Sequence, residues 1–250
     1  MSLYDTLKIF NFILDPIFGF LLNLPPFWGI MIISLIVTLI STVIYKKMTD
    51  QEVLKTIKED MKDLRKQMKE FSHDATKVAE LQKISMQKSM IQMKESFKPM
   101  LVTYIPMLII FAWLFTHLTY YPIMPDANFS MNLTFKDDVQ GSVQIIVPEG
   151  INLIGEDIQT ISNNNAGFIM NGKEGEYNVG FSFNNNSYTK DVLITNERKY
   201  DNPQERLSGD LKSITVSNEP VKIFGLGWFW SYIIFAILFN SVLRKLLKIH

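Results

Sequence analysis

Ser34, Thr38, Ser41, Thr42 and Tyr45 fall at i, i+4, i+7, i+8 and i+11, one stripe along a run that is otherwise apolar from Phe27 to Tyr45. Hydroxyls in that pattern are poor candidates for covalent chemistry, because no histidine or carboxylate accompanies them to raise their nucleophilicity. What they offer is hydrogen bonding inside an apolar surrounding. They either bond back to their own helix or a neighbour, or line a hydrophilic groove facing a water-filled cavity, with Lys46 and Lys47 at its mouth. Asn240 and Ser241 place an amide and a further hydroxyl in a second such apolar run.

Other chemistry is poorly represented. His73, His117 and His250 are scattered, and His117 reads as an interfacial residue because its run holds no second His, Asp or Glu. There is no cysteine, which excludes thiol catalysis and cysteine metal sites. No Gly-x-Ser-x-Gly, HExxH or glycine-rich phosphate loop occurs, so no enzyme, metal site or cofactor is expected. Methionine is the remaining distinctive residue. Met86, Met90, Met93, Phe97 and Met100 recur at steps of 4, 3, 4 and 3. Being flexible and polarizable, such side chains either fill a helix–helix seam or accommodate apolar segments of varied shape.

These residues need long helices to position them. From Lys46 to Phe97 the chain is polar and lysine-rich, and Leu54, Ile57, Met61, Leu64, Met68 and Phe71 recur at heptad steps. Ser72–Thr76 interrupts that pattern, with Ser72 or Asp74 suited to cap a second helix. Two helices, each about 30 Å long, then form an antiparallel hairpin. Phe27–Tyr45, Met100–Leu118 and Leu226–Leu243 contain no Asp, Glu, Lys or Arg, and each matches the ~20 residues that cross a bilayer. Pro99 and Pro106 predict kinks in the middle one. Residues 46–98 carry 13 Lys and Arg against 9 Asp and Glu, and the tail from Arg244 adds three positives. Residues 121–225 carry 8 against 14. Positive flanks stay cytoplasmic, which puts the hairpin and C-terminus inside and the acidic loop and N-terminus outside.

Two further regions differ from these. Leu3, Leu7, Phe10, Leu14, Phe18 and Leu21 mark one face of an amphipathic helix lying on the outer interface. Residues 128–218 read as alternating strands, FSMNLTF, GSVQIIV, GFIM, GEYNVGFSFN, SYTKDVLIT and LKSITVS, with turns at Asn171-Gly172 and Asn184–Asn186. Gly175-Glu-Tyr177 entering a long strand fits the tyrosine corner of an immunoglobulin-like sandwich. Asn128, Asn132 and Asn185 begin glycosylation sequons in this loop.

Several segments together carry a resemblance: Met48-Thr-Asp-Gln51, Met86-Gln-Lys-Ser-Met-Ile-Gln-Met93, Ser96-Phe-Lys-Pro-Met100, Gly225-Leu-Gly-Trp-Phe-Trp230 and Leu243-Arg-Lys-Leu-Leu247. In order and spacing the chain resembles the archaeal YidC-like proteins of the Oxa insertase superfamily, relatives of the third subunit of the ER membrane protein complex. The resemblance covers roughly residues 1–121 and 219–250 and leaves out the β-region. It implies a membrane protein insertase whose groove of Ser34, Thr38, Ser41, Thr42, Tyr45, Lys46, Asn240 and Ser241 lowers the desolvation cost of a passing polar flank. It also implies client capture by Met86, Met90, Met93 and Met100.

The expected fold is therefore an α-helical membrane protein with three transmembrane helices, a cytoplasmic antiparallel coiled-coil hairpin and an inserted all-β immunoglobulin-like sandwich. Its expected parts are an N-terminal interfacial helix (1–25), spans at 26–45, 99–121 and 225–243, the hairpin (46–98), the external β-domain (122–224) and a basic tail (244–250). Expected partners are nascent membrane proteins, the ribosome through the basic hairpin, a small membrane partner subunit and the lipid bilayer of the cell membrane, with no DNA. The rival reading is a membrane-anchored sensor or adhesion scaffold with an external ligand-binding domain. The hairpin's place between the first two spans, with only seven residues after Leu243, counts against it.

Overall fold

The computed structural model describes residues 3–247 and 249; Lys248 and His250 of the basic tail lie outside the described residues. The chain divides into two compact units, residues 30–111 with 229–250, and residues 1–29 with 112–228.

The first unit is helical. Its main elements are α3 (Pro26–Met48), α4 (Gln51–Glu70), α5 (Ala75–His117) and α6 (Trp228–Leu246), the numbers α1 and α2 belonging to two short N-terminal helices. Three of these, α3, α5 and α6, are long and apolar enough to cross a membrane. The break between α3 and α4 is a capping event: the Asp50 carboxylate accepts from the backbone N–H of Glu52 and Val53 at 3.0 and 3.1 Å. At the next turn Asp74, rather than Ser72, caps α5 by accepting from Lys77 N–H at 3.0 Å.

Leu54, Ile57 and Leu64 of α4 are buried, with Met61 and Met68 half-buried, as the heptad spacing predicts, whereas Phe71, the last of that series, is exposed just past the helix end. On α5 the matching positions are Val78, Leu81 and Ser85, and Lys88 Nζ meets Asp60 Oδ2 at 2.6 Å. Ser85 Oγ lies 3.4 Å from Met61 Sδ. The methionines of α5 do not fill this seam. Met86, Met90 and Met93 are 60–65% exposed, because the same 3–4 spacing also describes a face about 100° round the helix. A further difference is that α5 runs unbroken for 43 residues through Pro99 and Pro106, joining the polar stretch to the span without a stop. Neither glycine nor a capping residue separates the two, and Thr103 Oγ1 donates to the Pro99 carbonyl at 2.7 Å.

The second unit contains α1 (Leu3–Lys8), α2 (Asn11–Phe18), a 3₁₀ turn (Gly19–Asn23), the end of α5 and all the strands. In place of one interfacial helix over residues 1–25, the N-terminal segment is thus divided in three. Part of its expected membrane-facing stripe, Leu14, Phe18 and Leu21, is buried within the protein. Tyr4 Oη donates to Tyr200 O at 2.7 Å, and Tyr200 Oη in turn donates to Phe115 O. Burial holds the Tyr200 phenol far above its ordinary pKa, so it keeps the proton it donates.

The strands form two antiparallel sheets. One has the order β3 (Ile151–Ile154), β5 (Asn165–Gly172), β1 (Phe129–Phe135), β9 (Leu211–Val216) and β8 (Gln204–Arg206). The other runs β4 (Ile158–Thr160), β2 (Ser142–Ile146), β6 (Gly175–Phe183) and β7 (Asn186–Ile194). Alternate residues of both sheets bury a common core, with Phe135 edge-on to Phe183 at 5.0 Å and Phe168 tilted on Phe181 at 5.9 Å. Each fully buried large side chain contributes about 1.5–3 kcal/mol. Asn184 and Asn185, both with positive φ, make the two-residue turn between β6 and β7.

The expected turn at Asn171-Gly172 is instead the end of strand β5. Glycine stands there for close approach, since a Cβ at position 172 would lie 2.9 Å from the Gly150 carbonyl oxygen. A short hairpin, β10 (Lys222–Ile223) and β11 (Leu226–Gly227), leads into α6.

Candidate functional site

The hydroxyl stripe of α3 is satisfied locally. Ser34 Oγ donates to Ile30 O at 2.6 Å, Thr38 Oγ1 to Ser34 O at 2.6 Å, Ser41 Oγ to Val37 O at 2.7 Å and Thr42 Oγ1 to Thr38 O at 2.6 Å. Each proton is thus used on the helix's own i−4 carbonyl, which lets a hydroxyl sit among apolar neighbours at little cost. What these side chains still present outward is acceptor capacity.

Within the helical unit, α3, α5 and α6 line an open cavity of about 340 Å³. Ser41, Thr42 and Tyr45 line it from α3, and Asn240 from α6. Among the described residues the Asn240 amide has no side-chain hydrogen bond, so its two donors and its acceptor are open to whatever fills the cavity. Tyr45 Oη lies 3.4 Å from Ser96 Oγ, and the Arg244 guanidinium sits over the Tyr45 ring at 4.9 Å. A cation held on an aromatic face is kept in place without neutralising its charge.

Four of the expected groove residues lie elsewhere. Ser34 and Thr38 are buried but do not reach the cavity wall. Lys46 is exposed, and its ammonium donates to Leu247 O at 2.9 Å. Ser241 is exposed and bonds back to Ile237 O. Conversely, the cavity includes residues that the α3 stripe does not indicate: Ser96, Pro99, Thr103 and Met107 of α5, with Tyr104 and Arg244. The α5 set recurs at steps of 3, 4 and 4, a helical face as visible in the sequence as that of α3.

A second concavity, shallow and about 640 Å³, lies on α5 alone. Met90, Ile91, Met93 and Phe97 form its floor, and Lys94 and Lys98 stand at its edge. Met100, also exposed, lines the first cavity instead, while Met86 is exposed outside both. In the β-unit, Asn128, Asn132 and Asn185 are all solvent-exposed. Tyr177 Oη donates to Lys173 O at 3.0 Å, a bond of the tyrosine-corner kind. His117 sits at the end of α5. It is buried, stacked on Trp113 at 4.6 Å, and its Nε2 lies 3.4 Å from Asp15 Oδ1, a partner 102 residues away in sequence.

Three helices of membrane-crossing length and composition, with polar groups turned inward on one of them, define a multi-pass membrane protein with a separate β-region. Residues 11–142 match the family described as integral membrane protein EMC3/TMCO1-like, and the chain belongs to that family, part of the Oxa1/YidC-related insertase superfamily. Comparison with curated proteins and with solved structures gives no match.

Proposed function

We propose that the protein is a membrane protein insertase, and that the cavity between α3, α5 and α6 receives the polar flank of an entering transmembrane segment. The observation that carries this is the cavity's lining: Ser41, Thr42, Asn240 and Arg244 are polar or charged, yet they lie on helices otherwise suited to lipid. A polar flank crossing lipid unaided loses its hydration, at a cost of about 2–7 kcal/mol for each unpaired polar group. Hydroxyl and amide groups held by the helices replace part of that hydration, while the apolar segment slides into the bilayer. No bond is made or broken, so no catalytic constellation is needed.

The methionine surface of α5 is the proposed capture site. It is exposed, deformable and bordered by Lys94 and Lys98. The Lys88–Asp60 and Ser85–Met61 contacts support an antiparallel coiled-coil hairpin of α4 with the first part of α5. Its net positive charge suits a cytoplasmic position and an encounter with ribosomal RNA. The tyrosine-corner bond, together with the β2–β6–β7 and β3–β5–β1 pairings, supports an immunoglobulin-like arrangement of the β-domain, with β9 taking the place beside β1. By charge, that domain faces the outside of the cell membrane.

Site-specific crosslinking from Ser41, Met90 and Met93 to ribosome-bound nascent membrane proteins tests the proposal. Adducts are expected at Met90 and Met93 on short nascent chains and at Ser41 on longer ones. Adducts with lipid or resident protein alone would remove the insertase reading.

A further inference from the structure

α2 buries Leu14 and Phe18 against the protein, yet its opposite side is apolar too. Its two polar side chains turn toward the end of α5: Thr116 Oγ1 donates to Asn11 Oδ1 at 3.1 Å and Trp113 Nε1 to Asp15 Oδ1 at 2.8 Å. The outward side carries Phe12, Ile13 and Ile17, continued by Phe20 of the 3₁₀ turn, at 53–88% exposure. A helix face that met water would carry polar residues at these positions.

The β10–β11 hairpin supplies a second, independent observation. Its two-residue turn is Phe224-Gly225, with φ of 53° and 81°. Such turns take Asn or Gly because both residues are left-handed, and a bulky aromatic there is an outlier that points to function. The Phe224 side chain is 87% exposed at the tip and meets Phe27 edge-on at 5.9 Å. Lys222, two residues away, is exposed. The chain continues from the first feature into α3 at Pro26, and from the second into α6 at Trp228.

We propose that the Asn11–Asn23 segment and the Phe224 hairpin tip together form a monotopic anchor, seated in the lipid leaflet on the β-domain's side of the membrane. The occupant of this apolar surface is the acyl–headgroup boundary of the bilayer. The hairpin tip meets Phe27 in the first turn of α3, just beyond the Asn11–Asn23 segment, and both segments run directly into membrane-crossing helices. Apolar side chains exposed where the chain enters a membrane-crossing helix suit that boundary. Interfacial helices bury their apolar side about 5–10 Å into this boundary, and Lys222 is placed to meet lipid phosphates. The inference rests on the membrane-spanning reading of the helices and is independent of insertase activity.

The absence of cysteine makes the test direct. Single variants F12C and F224C of the full chain, labelled with an environment-sensitive NBD probe, are reconstituted in vesicles of phosphatidylcholine and phosphatidylglycerol. L238C on α6 serves as the lipid reference and N164C in the β-unit as the water reference. Probes at 12 and 224 are expected to emit blue-shifted light, and to be quenched several-fold more by doxyl-labelled lipid than by aqueous iodide. Iodide quenching at both positions equal to that at 164, with 238 still reporting lipid, would overturn the anchor alone. Shielding from both quenchers would also overturn it, since that is the mark of a protein partner. A water-like signal at 238 would instead remove the membrane-spanning reading, and the anchor with it.

Discussion

In β6, Val179, Phe181 and Phe183 are buried while Glu176 and Asn178 are exposed; in α3, Ser34, Thr38 and Thr42 are buried while Leu35, Leu39 and Val43 are exposed. The same chain thus sorts its residues in opposite senses. In the β-unit, water is the solvent and hydrophobic burial drives packing. On the membrane-crossing helices the outer surface is apolar, and a lipid tail solvates Leu39 about as well as a neighbouring helix does. Association there depends on close packing and a few polar contacts. The lesson is that burial has different energetic content in the two units, so equal truncations should have unequal effects.

The largest contrast is expected from core truncation. Phe181→Ala leaves a void in a core with no lipid to fill it and should cost about 3–5 kcal/mol. Leu238→Ala on α6, where the side chain is largely exposed, should cost under about 1 kcal/mol, because lipid replaces the lost methyls. Thermal unfolding in mild detergent, followed by β-sheet and helical signals separately, measures both. Equal losses would mean that the helical unit also has a water-excluded core that its exposed surface does not reveal.

A second test sharpens the role of close approach. Gly172→Ala puts a methyl 2.9 Å from the Gly150 carbonyl oxygen and 2.6 Å from Ile151 Cδ1. The backbone must move, and about 1–3 kcal/mol of β-unit stability should be lost. Gly19→Ala, where nothing lies within 4 Å of the added atom, serves as the neutral partner. An unchanged melt for the first variant would leave the strand assignment at Asn171-Gly172 without its physical basis.

Legibility divides along the same line. β1, β2, β5, β6, β7 and β9 are readable from period-two alternation, because strand neighbours and water enforce it. β3, β4 and β8 are only three or four residues long, too short for a period to register, and their pairing partners lie elsewhere in the chain. The three spans are readable from composition. On the helices, however, spacing of 3 and 4 fits more than one face. The methionine face of α5 and the Leu81–Lys88 face share a rhythm, and the contacts across to Asp60 and Met61 distinguish them. The α3 wall of the cavity and one residue of α6 are visible in Ser41, Thr42, Tyr45 and Asn240. The α5 face has an equally regular spacing, but Pro99 and Met107 keep it from reading as a polar stripe, and Arg244 is masked by its second role as a charge at a membrane edge. Nothing local to Asp15 indicates that it accepts from Trp113, 98 residues on.

The ion pair that fixes the α4–α5 register permits a smaller test. Lys88 and Asp60 are each about one-third exposed, so solvent screening leaves the pair about 0.2–1 kcal/mol. A double-mutant cycle with Lys88→Ala and Asp60→Ala in the full chain should return a coupling in that range, declining with added salt. Zero coupling at low salt would argue against this register of the proposed hairpin.

The smallest effect is the most informative about the cavity. Thr38 and Thr42 are one helical turn apart, both buried, and both bonded to their own i−4 carbonyl at 2.6 Å, yet only Thr42 lines the cavity. Replacing either by Val keeps the shape and removes one hydroxyl, at a stability cost near 0.6 kcal/mol if the hydrogen bond matters at all. The two variants should therefore melt alike. Insertion should separate them. Thr42→Val removes an acceptor that a passing polar flank can use and should slow clients with polar flanks about two- to threefold, the rate equivalent of roughly 0.5 kcal/mol. Clients with apolar flanks should be unaffected, and Thr38→Val should leave both client types at the parental rate. Measured insertion rates for paired clients, beside the melting temperatures of both variants, decide the matter. Equal slowing by both substitutions, tracking stability and indifferent to the client, would mean that the hydroxyls serve packing and that the cavity is not the path of the flank.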